Sequence, residues 1–124
     1  MAKQIPGRLY SFPAAADHTA NQFKFMVVDS AGRIGLAGAG VAVDGVLQDK
    51  PNAVDRHGSL MIDGISKVFA GAVAIARGAN VSSDATGRAI TSATTDYIVG
   101  RALAASAAAG EIIPVLITRP GRLA

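Results

Sequence analysis

The chain has 124 residues, with 12 Lys and Arg against 9 Asp and Glu, and no Cys or Trp. Half is hydrophobic, but 25 of those residues are Ala; Leu, Ile, Val and Phe still make up 32, above the level at which disorder is expected. The length fits one domain, the lack of Cys excludes a disulfide framework and thiolate chemistry, and no apolar run approaches the roughly 18 residues of a bilayer span, so a soluble chain without a leader or a membrane partner is expected.

Residues 1–22 are irregular, with Pro6-Gly7 and Pro13 ahead of Ala14-Ala15-Ala16-Asp17-His18, and read as an extended N-terminal arm outside the core. From Phe23 to Val28 the pattern has the two-residue period of a strand. It stops at Asp29-Ser30-Ala31-Gly32-Arg33, and the same turn recurs as Asp84-Ala85-Thr86-Gly87-Arg88. An Asp that caps the turn and a Gly that takes positive φ at the fourth position make a tight strand reversal. Asp55-Arg56-His57-Gly58 reads as a third, looser copy.

Gly35-Leu36-Ala37-Gly38-Ala39-Gly40 lacks the third Gly, the helix and the Lys-Ser/Thr of phosphate-binding loops, and reads as a connector that lets a neighbouring backbone approach. Strand-like segments follow at Val41–Leu47, Ser59–Ile62, Ile65–Phe69, Val73–Ile75, Ala79–Ser82, Ala89–Ser92 and Tyr97–Ala104. Asp44-Gly45 and Asp63-Gly64 fit either hairpin turns or glycines within bent strands. Residues 101–110 contain six Ala, and a strand through Ala104 followed by a loop competes with a helix there. The last strand, Glu111–Thr118, holds Pro114, which points to an edge or a bulge. Short strands at intervals of about ten residues predict an all-β domain over 23–118, a small β-barrel or β-sandwich of antiparallel strands, ending in a short basic tail at 119–124.

Chemistry is sparse. His18 and His57 lie apart from any carboxylate at ligand spacing and read as surface histidines, so no metal, cofactor or catalytic residue is expected. The twelve cations are spread along the chain with no two adjacent, and the six aromatics do not interleave with them, so direct nucleic-acid contact is not expected despite a pI near 9.7. A non-enzymatic binding or structural module follows.

Five segments then resemble, in order, the small capsid cement (decoration) proteins of tailed bacteriophages and prophages: Gly45–Pro51, Gly64–Val68, Gly78–Ala89, Tyr97–Leu103 and Ala109–Ile117. The likeness covers about residues 41–118. It implies a virion protein on the capsid exterior, made in the host cytoplasm, whose partner is the major capsid protein and which acts as a homo-oligomer, a dimer or trimer, bridging capsid subunits. Lys3, Arg8, Tyr10 and Phe12 in the arm and Arg119 and Arg122 in the tail are the expected capsid or subunit contacts. A β-barrel that binds nucleic acid and a head-completion or tail component are the alternatives.

Overall fold

The computed structural model describes residues 5, 6, 8–71 and 74–122. Eleven strands form two antiparallel sheets in a sandwich-like, all-β arrangement, not a closed barrel. They are β1 (Ile5–Pro6), β2 (Leu9–Pro13), β3 (Phe25–Val28), β4 (Ile34–Leu36), β5 (Gly45–Leu47) and β6 (His57–Met61), then β7 (Gly64–Phe69), β8 (Asn80–Ser83), β9 (Ala89–Thr91), β10 (Tyr97–Ala102) and β11 (Ile112–Arg122). One sheet has the order β2-β6-β5-β3-β4 and the other β1-β7-β11-β10-β8-β9.

Those orders are one pattern written twice. Asp29 and Asp84 are 55 positions apart, and so are the partners around them. Met26 pairs with Gly45 as Val81 pairs with Gly100, and Val46 faces Met61 as Arg101 faces Leu116. Phe23 N donates to Leu47 O as Gly78 N donates to Ala102 O. Left-handed backbone recurs in the same register, at Phe23 and Gly78, Gly32 and Gly87, Gly40 and Thr95, Asp55 and Gly110. The chain is therefore an internal duplication, β2–β6 followed by β7–β11, and β1 is an addition to the second copy.

The core shows how the copies are stacked. Met26, Ile34, Leu47, Leu60 and Ala14 form a cluster on one face of the five-stranded sheet, while Phe25, Val46 and Met61 on its other face join the layer between the sheets. The counterparts of the first set, Val81, Ala89, Ala102, Val115 and Ala70, line that same inter-sheet layer from the second copy. The copies thus stack front to back. This is why β5 is buried along its whole length and why Phe25 and Met26 are both inaccessible: the middle sheet face has neighbours on both sides, a condition that selects continuous apolar runs over alternation.

Local chemistry builds the two turns as expected. Asp29 Oδ1 accepts the N–H groups of Ala31 and Arg33 at 2.9 Å, and Asp84 Oδ1 those of Thr86 and Arg88 at 2.8 and 2.9 Å. Both fourth-position glycines have φ of 78°. The Asp55–Gly58 stretch is different: its left-handed residue is Asp55 itself, and Gly58 lies inside β6. Gly45 is a strand glycine, since a Cβ there would sit 2.8 Å from Met61 O. Asp63-Gly64 is neither a hairpin nor a bend in one strand; it is the corner where the chain passes between sheets.

Two expectations are corrected. Residues 1–22 are not an arm outside the core in their described part: residues 9–13 are β2, Ala14 and His18 are buried, and β1 pairs with β7. The 119–124 tail is strand through Arg122, which pairs with Tyr97. Pro114 also lies in a central strand, between β7 and β10. It is tolerated because the β10 ladder ends beside it: Leu103 N donates to Pro114 O, and the return bond that proline cannot make is not needed. The bulge comes later, where Ile98 pairs with Gly121 but Gly100 with Ile117, a shift that takes in Pro120. Ile75, expected in a strand, makes only an isolated bridge to Ser106, and Val73 lies outside the described residues.

Two tests follow. A Cβ at Gly100 would overlap the Leu116 carbonyl, so Gly100→Ala and its counterpart Gly45→Ala should each cost about 3 kcal/mol, whereas Gly35→Ala, with open space around it, should stay within about 0.5 kcal/mol in urea unfolding. The second concerns Asp84. Partial burial pushes its carboxyl pKa up, but bonds from Arg88 N, Thr86 N and Thr86 Oγ1 and the Arg88 charge outweigh this and hold it below the ordinary value. A depressed folded-state value stabilises above the unfolded pKa of about 3.9 and loses that contribution as pH falls through the folded one. The stability gap between wild type and Asp84→Asn should be full at neutral pH and close as pH drops below about 4.

Candidate functional site

The strand β2 and the residue before it hold three of the six nominated contact residues, Arg8, Tyr10 and Phe12. Arg8 precedes it and is clamped to the sheet-switch corner: its backbone N donates to Asp63 Oδ1 and its Nε to Asp63 Oδ2, both at 2.7 Å. The Asp63 hydrogen bond, then its charge, raises the Arg8 pKa above its already high value. Both side chains are exposed, so the pair adds little net stability, and its effect is to fix where β2 begins.

Along β2 the pairing with β6 is regular, from Leu9 opposite Met61 to Pro13 opposite His57. Tyr10 is 49% exposed and Leu9 50%. Successive residues of a strand point to opposite faces, so apolar surface is accessible on both faces at this end of β2. Phe12 has a different role: partly buried, it packs against the outer cluster of Met26, Ile34, Leu47 and Leu60.

Lys3 lies outside the described residues, as do the side chains of Arg119 and Arg122, whose backbone continues β11. The register still relates the two ends of the chain. Gly64 pairs with both Pro6 and Ile117, so the Arg8–Asp63 corner and the backbone beyond Ile117 share one end of the sandwich.

His18 is buried, not a surface residue. Nε2 donates to Ile34 O, a carbonyl that can only accept, and Nδ1 lies against Asn21 Nδ2, each at 2.9 Å. Together with His18 N donating to Pro51 O and Ala15 N to Ile34 O, it straps residues 14–22 across the outer face of the five-stranded sheet. Its counterpart bond in the second copy runs from Ile75 N to Ser106 O. His57 is exposed and lines a shallow groove of about 450 Å³ with Asp49, Lys50, Pro51, Asn52 and Arg56. The charges there are mixed, and Asp49 Oδ1 is already taken by Ser59 N. Among the described residues no three His, Asp or Glu come together as metal ligands.

Leu9 is the exposed residue that sequence reasoning missed. The available signal was its place beside Tyr10, two large apolar residues between the breakers Gly7 and Pro13.

No curated protein matches the chain. Among solved structures it resembles the N base of the head fiber gp8.5 of bacteriophage phi29, with a TM-score of 0.70 and 18% identity over 94% of this chain and 98% of that one, a likeness of fold. The family model of phage cement proteins matches residues 6–117, from β1 to the point where Ile117 meets Gly64, which takes in both copies of the duplicated unit. This chain belongs to the phage cement protein family.

Proposed function

We propose that the protein binds the outer surface of an assembled phage capsid and stabilises it by bridging neighbouring major capsid subunits. The observation that carries this reading is the family match over residues 6–117, which supports a structural role in the virion capsid. The fold shared with a phage head fiber base supports an exterior position.

Cement action needs no chemistry. A ligand that binds the assembled lattice and not free subunits stabilises the lattice by mass action. Many copies, each bridging two subunits, multiply a small increment across every seam. In this reading the protein acts as a homo-oligomer, a dimer or trimer, at positions where capsid subunits meet. Of the nominated contacts, Tyr10 is a half-exposed side chain that lies beside Arg8, and Arg8 holds β2 in place.

The test is co-sedimentation of the purified protein with expanded empty shells and with immature shells. It should pellet with shells and raise the temperature at which they lose integrity by several degrees, and filters should retain no DNA or RNA in a salt-dependent way. Failure to pellet with either kind of shell would overturn the cement reading, and salt-dependent retention would favour a nucleic-acid binder.

A further inference from the structure

The duplication has one asymmetry at its edges. In the second copy, the outer edge of β7 is covered by β1, with Ile5 opposite Ile65 and Pro6 opposite Gly64. In the first copy the equivalent strand is β2, and among the described residues nothing pairs with its outer side from Leu9 to Ser11, ahead of the bridge at Ala14. The other outer edges, by contrast, are closed by matching devices: Ala14 bridges Ile34 beside β4, and Ala70 bridges Ala89 beside β9, each in parallel.

The register identifies the groups that β2 leaves open. Ile62 N donates to Arg8 O and Ala14 N to Arg56 O, so even-numbered residues from Arg8 to Ala14 face β6. In an antiparallel ladder the alternate residues turn their N–H and C=O groups the other way. Leu9 and Ser11 therefore point both groups outward, while beyond them Ile34 meets this side of the strand through the Ala14 bridge. Leu9 is the counterpart of Ile65, the residue that β1 covers. The second copy thus shows what this edge accepts: a short extended segment running antiparallel, pairing over about two residues beside an apolar side chain.

We propose that the outer edge of β2 is a docking site at which an extended apolar segment of the major capsid protein adds as a strand, with backbone bonds at Leu9 and Ser11 and side-chain contact at Leu9 and Tyr10. This rests on the capsid-binding reading above. Strand addition draws affinity from main-chain bonds and specificity from alternate side chains. A capsid segment is favoured over β2 of a second copy by size. One five-residue strand against another buries far less than the roughly 1,000 Å² a stable protein pair needs, and Pro13 stops the ladder from growing. A contact so small functions where the lattice presents it many times over. It also leaves β2 unpaired in the free protein, guarded from general edge-to-edge association by its shortness and its proline.

Hydrogen–deuterium exchange of the full chain, free and bound to expanded shells, tests this. Peptide 8–13 has two outward amides, Leu9 and Ser11, since Tyr10 and Phe12 are held by β6 and Pro13 has none. Both should exchange at least tenfold more slowly on shells, and Ser11→Pro should weaken co-sedimentation at least tenfold while Ser11→Ala leaves it unchanged. Unchanged exchange of peptide 8–13 at full shell occupancy would overturn the docking site and leave the cement reading standing. Protection that appears without shells as protein concentration rises would overturn it in favour of self-pairing, and absence of shell binding would overturn both readings.

Discussion

A front-to-back contact between two copies of one unit is the constraint from which the rest of the structure follows. A sheet that meets its neighbour through one face can leave the other wet. Here the first copy turns its back face, with Phe25, Val46 and Met61, toward the front face of the second. Its own front face must then be covered separately, by Ala14, Phe12 and the strap pinned at His18. The front face of the second copy is covered by the first copy, with Ala70 and Ile75 in the same layer. The residues equivalent to Phe25 and Val46 in the second copy are Asn80 and Arg101, both exposed. Stacked repeats behave this way in general: interior faces stay apolar and the outermost face turns polar to end the stack.

The same constraint explains why the fold class was legible in the sequence while the duplication was not. The Asp-x-x-Gly-Arg turns survive in both copies because their demand is local: one carboxylate for two N–H groups and one left-handed position. Strands such as Gly64–Phe69 and Tyr97–Ala102 were readable for the same reason. Face residues were under opposite pressures in the two copies, so Phe25 became the counterpart of Asn80, and an alignment by residue type dissolves. Backbone geometry persisted where side chains did not.

The candidate surface was legible in part. Tyr10 was read as a contact from its position outside the hydrophobic rhythm, and it is exposed on a strand edge. Phe12, two residues on, gave the same signal and is partly buried against the Met26 and Ile34 cluster, which only the folded chain brings beneath it. Residues 8–22 looked like an arm because their partners are remote: Asp63 for Arg8, Arg56 for Ala14, Pro51 for His18. No window of local sequence carries such pairings. The burial of His18 is likewise set by a carbonyl 16 positions away.

Ala-rich composition now has a physical reading tied to edges. Ala14 and Ala70 each lie against the first residue after an Asp turn, and the next residue in each case, Ala15 or Gly71, donates to that residue's carbonyl. At Gly71 even a Cβ would come within 2.8 Å of Asp84 Oδ2, so a side chain there would push the covering segment away. Small residues therefore close β4 and β9, and Ile5–Pro6 closes β7. Among the described strands, β1 then forms an edge of the second sheet, and β2 keeps its outer side open at Leu9 and Ser11. An edge so short gains on the order of 1 kcal/mol per added backbone bond, too little to hold a partner alone. The proposed docking therefore combines the backbone bonds at Leu9 and Ser11 with the apolar surface that Leu9 and Tyr10 expose beside them.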